Sequence, residues 1–329
     1  MGNLNNQTIS IIGNGEVGSG IGTTLIKLNE NIIVKGFDKH KEISQIALKS
    51  NSITNLTNNY AECVKDSDIV IVATPTSSIY EIFEGIKEYL SKTVVIIDTS
   101  DTKRAVDQWA KEILPNIGII GINPFKKTQS FENIFWGVVN YDNSNSNTYA
   151  IASKLIADLS GQVINVDIME HDSFSALVET MPIILSTSLM NLSNDSQSWK
   201  EIYRFIGNRF NKFTDSLDNE PINSFSSILT NSDMLLEWVR IYISELLKLE
   251  KMLEKNSENE IANYIQKNWE NKLKIMNNID PNASQSATDY IPSASENMLS
   301  LFVGSRAAKF FTKTKPAVDT DKYGFKKRV

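Results

Sequence analysis

The stretch Thr8–Gly22 reads TISIIGNGEVGSGIG. An apolar run (Ile9, Ile11, Ile12) meets Gly13, Gly15 and Gly18, and a helical pattern begins behind them. G-x-G-x-x-G in a strand–turn–helix setting is the fingerprint of a dinucleotide-binding loop. Gly13 makes the tight turn, Gly15 lets a pyrophosphate approach bare backbone, and Gly18 lets the helix pack closely on its strand. The pyrophosphate is expected over the helix N-terminus, around Asn14, Glu16 and Val17, where unpaired N–H groups and the helix dipole favour an anion. About twenty residues beyond Gly18, a second apolar run (Ile32, Ile33, Val34, Phe37) ends at Asp38, where an acid accepts hydrogen bonds from the adenosine ribose. A carboxylate there repels a 2′-phosphate, so NAD is favoured over NADP. Lys39, His40 and Lys41 follow at once and read either as phosphate contacts or as the solvated start of a helix.

The whole chain sets bounds on this reading. Its 329 residues suffice for two domains, with 41% hydrophobic and 22% charged residues, as in an ordinary globular protein. A net charge of −6 argues against a general affinity for nucleic acid or anionic membrane. Cys63 is the only cysteine, which rules out an internal disulfide and suits a reducing compartment. It lies in a helical pattern ahead of a buried strand and reads as a packing residue. One cysteine and two histidines make a zinc site unexpected. Met1–Gln7 is polar and lacks the regions of a signal peptide, and no apolar run approaches the length of a membrane span. The expected location is cytoplasmic.

Strand and helix patterns alternate through the first half. Asp68–Ala73 and Thr93–Ile97 are β-branched runs of the kind that form strands buried on both faces. Ile117–Ile120, Trp136–Tyr141 and Val163–Val166 read as further strands. Lys41–Lys49, a segment ending at Leu90 and capped by Ser77 or Ser78, Asp101–Leu114 and Asn147–Leu159 read as helices. The expected fold is α/β, a doubly wound Rossmann domain over residues 1–168, followed by an all-α dimerisation domain over 169–277. In that second part Pro182 is expected to bend a helix or mark a functional kink, and Trp238–Leu253 is strongly amphipathic. An apolar-faced helical domain behind a Rossmann domain predicts a homodimer. Residues 278–329 read as a polar linker, Asn278–Ser295, and a basic tail carrying Lys309, Lys313, Lys315, Lys322, Lys326, Lys327 and Arg328.

Ligands of open α/β sheets bind outside the carboxyl ends of the strands. That places Thr74, Pro75 and Ser78 at the nicotinamide ribose, or in a plain strand-to-helix turn. Asp98–Lys103 (DTSDTK) is dense in polar groups and reads as a nicotinamide or substrate contact through Ser100, or as an elaborate helix cap made by Ser100 or Asp101. Lys103 and Arg104 are the nearest cations for an anionic substrate, although Arg104 also reads as solvent-facing.

The segment order resembles the prephenate/arogenate dehydrogenases. The matching stretches are DIVIVATPTSSI, VVIIDTSDTKRAV and GINPF, followed by EHDSFSALVETMP and NSDMLLEW; the resemblance spans residues 8 to 255. It implies a Rossmann domain with a dimerising helical domain, and hydride transfer from a ring carbinol to NAD(P) with decarboxylation. By the same resemblance, the family's catalytic histidine is Asn123 here and its serine is Asp101. A histidine ahead of the helical-domain proline is replaced by Glu179-Thr180-Met181, and the substrate-holding arginine by Ile228. Imidazole accepts a proton near neutral pH whereas an asparagine only hydrogen-bonds. The candidate catalytic residues are therefore Asn123, to orient a substrate oxygen, with Asp101 and Glu179 as carboxylate bases. Ser100, Lys103 and Pro124 are candidate substrate contacts, and Lys126 and Lys127 are further candidates to hold an anion. His171 reads as a capping or interdomain residue. The expected function is an NAD(P)-dependent oxidoreductase acting on a small carboxylated alcohol or its carbonyl partner, in either direction. The alternative is a non-catalytic NAD-binding dimeric regulator.

Overall fold

In a computed structural model of the chain, β1 (Thr8–Ile12) and β4 (Ile69–Val72) lie at the centre of the sheet, and their isoleucine and valine side chains are buried on both faces. The structure describes residues 7–125, 131–217, 221–277 and 279, with the backbone of 318–320 and 326–328. The other strands are β2 (Ile33–Phe37), β3 (Asn55–Leu56), β5 (Val95–Asp98), β6 (Gly118–Pro124), β7 (Phe135–Asn140) and β8 (Gln162–Asn165). They form an eight-stranded sheet in the order β3-β2-β1-β4-β5-β6-β7-β8, parallel except where β7 runs against β6. Strand order reverses between β1 and β4, so the crevice outside their carboxyl ends is where this topology binds a ligand.

Helices cover both faces. α1 (Glu16–Leu28), α2 (Lys41–Lys49) and α6 (Ser146–Asp158) bury Ile21, Leu25, Ala47, Leu155 and Ile156 on one face, against Ile11, Ile71 and Ile97. α3 (Tyr60–Val64), α4 (Ile79–Ile86) and α5 (Arg104–Ile113) bury Cys63, Ile82, Phe83 and Val106 on the other. Cys63 is a packing residue, its thiol pushed up to about 11 by burial. The doubly wound expectation holds, with local corrections. α4 has no side-chain cap from Ser77 or Ser78; instead Ser226 Oγ accepts from Ser77 N at 2.7 Å. β6 runs past Ile120 and takes in Asn123 and Pro124.

Beyond β8 the described chain up to Met276 is helical: α7 (Ile168–Ser175), a π turn (Ala176–Thr180), α8 (Met181–Asn194), α9 (Trp199–Ile202), α10 (Asn208–Thr214), α11 (Pro221–Thr230), α12 (Ser232–Glu254) and α13 (Glu258–Met276). Pro182 lacks the N–H that its turn requires, and the helix widens into the π turn immediately before it. Against the sequence expectation, the continuous helix Ile168–Asn194 is long and apolar enough by composition to cross a bilayer. It carries Glu170, His171, Asp172 and Glu179, and it buries Ala176 and Met181 in a small core with Leu235.

The chain divides into two compact units, residues 1–243 and 244–329. The first exposes Phe174, Leu177, Leu236, Ile241 and Ile243; the second exposes Leu246, Leu247, Leu253, Ile265 and Trp269. In the second unit, Lys326–Arg328 pairs antiparallel with Val318–Thr320. The expected linker, apart from Ile279, and the tail residues Lys309, Lys313, Lys315 and Lys322 lie outside the described residues.

One carboxylate joins the sheet to these helices. α5 begins at Arg104, not Asp101, and neither Ser100 nor Asp101 caps it. Asp172 of α7 does so instead, its carboxylate accepting from Lys103 N at 2.7 Å and Arg104 N at 3.1 Å. Arg104 Nε also reaches Asp172 at 3.1 Å, and its two terminal nitrogens grip Asp233 at 2.7 and 2.6 Å. Arg104 is thus engaged rather than solvent-facing. Its hydrogen bonds hold the Asp233 carboxyl down to about 2. Burial alone would raise the Asp172 carboxyl; the hydrogen bonds from His171 and from the Lys103 and Arg104 amides outweigh it and keep it below the ordinary value. Asp172→Ala strips the cap and leaves Arg104 half-paired. It should cost about 3 kcal/mol in urea unfolding, and a loss below about 1 kcal/mol would show that another group caps α5.

Candidate active site

A cavity of about 770 Å³ opens at the carboxyl ends of β1, β4 and β5 and extends to the π turn. Its floor is the glycine loop. Gly13 has φ +93°, and a Cβ there would stand 2.3 Å from the Ala73 carbonyl oxygen. At Gly18 a Cβ would stand 2.0 Å from the Gly13 oxygen, so this residue serves close packing. Gly15 differs, because a Cβ on it would meet no protein atom within 4 Å. It caps α1 without any side-chain hydrogen bond, so the first amides of α1 remain available to an anion. A loop whose bare face turns to the cavity is what a pyrophosphate fits.

Asp38 stands at one end of the cavity with Lys39 and His40. Its Oδ2 accepts from Asn14 N and its Oδ1 from His40 N, both at 2.9 Å, so the carboxylate is aimed before any ligand arrives. The Asn14 amide is spent on Asp38, and its side chain is buried and donates to Ser44 Oγ at 3.0 Å. Asn14 and Gly18 therefore shape the loop from behind, while Gly13, Gly15, Glu16, Val17, Thr74, Pro75 and Ser78 line the cavity. Thr74 Oγ1 is buried without a hydrogen-bond partner.

At the other end Ser100 and Asp101 face Phe125, Glu179 and Thr180. Ser227 Oγ donates to Asp101 Oδ2 at 3.3 Å. Lys103 is not a substrate contact. Its side chain is fully buried, and Nζ donates to Asp98 Oδ2 at 2.7 Å, to Asp98 O at 3.1 Å and to Ile122 O at 2.9 Å. Asp98 also takes Ser100 N, Ser100 Oγ and the Tyr141 hydroxyl, and so braces the loop beneath the cavity. Burial first, then the Asp98 charge, push the Tyr141 hydroxyl well above its usual range. Pro124 is buried and does not line the cavity. Lys126 and Lys127 lie outside the described residues. Ile228 packs against the small core of the π turn, α8 and α12.

Asn123 is also fully buried, with Nδ2 3.2 Å from His171 Nε2. His171 Nδ1 is 3.0 Å from Asp172 Oδ1, and the ring lies 5.1 Å from that of Phe125. His171 caps no helix; the cap of α7 is Asp167. Burial pushes its imidazole below the ordinary value, against the raising effect of Asp172. Sequence reasoning missed Thr180, Ser216 and Ser224 as lining residues. The proline after a long helical run was the one local signal near Thr180.

Two family models match consecutive stretches of the chain. One, described as prephenate dehydrogenase, nucleotide-binding domain, covers residues 21–165; the other, prephenate dehydrogenase, dimerization domain, covers 167–267. The chain belongs to the prephenate dehydrogenase family. The prephenate dehydrogenase of Bacillus subtilis (strain 168) is 22% identical over 271 residues, 78% of this chain and 73% of that protein. The cyclohexadienyl dehydrogenase of Zymomonas mobilis is 24% identical over 253 residues, 73% of this chain and 86% of that one. Among solved structures, prephenate dehydrogenase from A. aeolicus, in complex with hydroxyphenyl propionate and NAD+, superposes with a TM-score of 0.75 at 17% identity, over 83% of this chain and 100% of that one. That likeness shows the fold. The first family match begins at residue 21, so the loop Gly13–Gly18 stands on its own sequence and geometry.

Two outcomes test this geometry. Gly13→Ala and Gly18→Ala should destabilise the fold and lower Tm, the former through at least about 1 kcal/mol of left-handed strain in the unfolding free energy, whereas Gly15→Ala should leave Tm unchanged. Equal losses at all three positions would mean that Gly15 is structural. The second test concerns pH. Burial holds the folded His171 imidazole below its ordinary value, whereas the unfolded imidazole gains a proton as pH falls through about 6.5, so stability is lost below that value. Asp172 and Asp233, both depressed, add a further loss as pH falls through their folded values. Tm should drop between about pH 7 and about pH 5, and His171→Gln should flatten the drop; an unaltered slope would rule out His171 as its source.

Proposed function

We propose that this member of the prephenate dehydrogenase family is an NAD-dependent oxidoreductase that acts on a small, carboxylated alcohol or its carbonyl partner. The observation that carries this reading is the single cavity linking the aimed Asp38 carboxylate and the open face of Gly15 to Ser100, Asp101 and Glu179. The adenosine ribose would lie at Asp38, the diphosphate over Gly15, Glu16 and Val17, and the nicotinamide ribose by Thr74, Pro75 and Ser78. Bound there, NAD supplies the hydride acceptor or donor. The protein's part is to orient the substrate through the Ser100 hydroxyl and to take or give the carbinol proton at Asp101 or Glu179, because the family's histidine position holds Asn123.

A second reading, a non-catalytic NAD-dependent regulator, is favoured by Asn123 and Ile228 in place of the family's histidine and arginine. Under either reading we assign the sheet domain to residues 1–168 and place the protein in the cytoplasm, where the lone buried thiol stays reduced. The exposed apolar side chains of the helices support a homodimer through residues 169–277.

Calorimetry with NAD and NADP tests the cofactor. NAD should bind and NADP should bind at least tenfold more weakly; Asp38→Ala should narrow that gap, and no heat with either nucleotide would end the proposal. With prephenate, arogenate and simpler carboxylated alcohols, NADH formation that falls in Asp101→Asn or Glu179→Gln supports the enzyme. NAD binding without turnover of any of them supports the regulator. Light scattering should give the mass of a dimer, and Leu247→Glu should shift it toward the monomer.

A further inference from the structure

We propose that Ser226 is a positioning residue for the nicotinamide half of the cofactor: reaching from α11, it caps the turn Thr76–Ser78 and so holds Thr74, Pro75 and Ser78 along the cavity. This rests on reading the cavity as a dinucleotide site.

The two ends of the site are supported differently. At the adenosine end, the amides that aim Asp38 are those of Asn14 and His40, within the sheet domain. At the other end the chain leaves β4 through Thr74 and Pro75, then makes the tight turn Thr76–Ser78 that runs into α4. That turn lacks a cap of its own, because neither Pro75 nor Ser78 gives a side-chain hydrogen bond to the amides that follow. The first amides of a helical turn need acceptors from outside it. Ser77 N finds one 149 residues along the chain, donating to Ser226 Oγ at 2.7 Å. Ser226 is buried and does not line the cavity, so its hydroxyl serves the turn and not the ligand.

A second contact ties the adjacent loop to the same helix. Thr102, beyond β5, donates from Oγ1 to Thr76 Oγ1 at 3.1 Å, and the same oxygen lies 2.9 Å from Thr230 Oγ1. α11 therefore anchors Thr76, Ser77 and Thr102 together. Taking away the Ser226 oxygen frees the turn at one point, whereas the glycine loop and Asp38 keep their own supports. The loss should fall on ligands that extend to residues 74–78 and spare those that stop at the diphosphate. General destabilisation would weaken both alike.

Calorimetry on the full chain compares three ligands: NAD, ADP-ribose, which carries the second ribose but no nicotinamide, and ADP, which ends at the diphosphate. Ser226→Ala should weaken NAD and ADP-ribose roughly fivefold, as for the loss of one hydrogen bond, and leave ADP unchanged. Ser226→Thr, which retains the oxygen, should restore the unmutated affinities. Amide hydrogen exchange gives a reading that needs no ligand: in Ser226→Ala the Ser77 amide should exchange faster while residues 13–18 keep their protection. Equal weakening of all three ligands, or of none, overturns the proposal and leaves the cofactor reading intact. So does a Ser226→Thr protein of unaltered Tm that binds like Ser226→Ala. An unchanged Ser77 amide overturns the capping role by itself. If the unmutated protein binds none of the three, the cofactor reading falls and the proposal falls with it.

Discussion

The arrangement of this site depends on one buried carboxylate. Asp172 is fully enclosed, and a charge in such a place persists only if donors surround it. The donors it gathers come from separate parts of the chain: the first amides of α5, the Arg104 guanidinium and the His171 ring. Each fixes something different. The amides set where α5 begins and hence the course of the loop from Thr99 to Thr102. Arg104 carries the link on to Asp233 at the start of α12. His171 carries it to Asn123 at the end of β6. A helix cap, a clasp between helices and the orientation of a buried side chain thus share a single charge.

Beneath the cavity a second buried charge has a quieter role. Asp98 collects Lys103, Tyr141 and Ser100, and in doing so removes Lys103 from any dealings with substrate. The polar atoms left without partners are more telling. Thr74 Oγ1 and Thr180 Oγ1 belong to residues that line the cavity. Thr180 closes the π turn, and such widened turns recur at functional sites.

The sheet was legible because buried parallel strands announce themselves as β-branched runs, as Ile69–Val72 and Val95–Asp98 do. The dinucleotide loop was legible because its whole logic is local, from Ile12 to Gly18 and on to Asp38. The far end of the cavity was not. Lys103 looks like an exposed cation in the sequence because its acceptor on Ile122 lies nineteen residues away. Arg104 looks free because Asp172 and Asp233 lie sixty-eight and one hundred twenty-nine residues away. Asp101 and Ser100 resemble a helix cap, yet the cap comes from a residue whose own helix had not been reached. Asn123 could be picked out only by family resemblance, and neither its burial nor its bond to His171 has a signature in GINPF.

The loops that follow β4 and β5 are sewn to α11 by hydroxyl groups: Ser226 to the Ser77 amide, Thr102 to Thr230, and Ser227 to Asp101. The neighbouring seam, from α5 to α7 and α12, is ionic. Dissolved electrolyte weakens the partly exposed Arg104–Asp233 pair far more than it weakens the Ser226–Ser77 and Thr102–Thr230 contacts, which join neutral groups. The two seams therefore obey different solvents: brine would slacken one, while the other would yield to competing alcohols or urea.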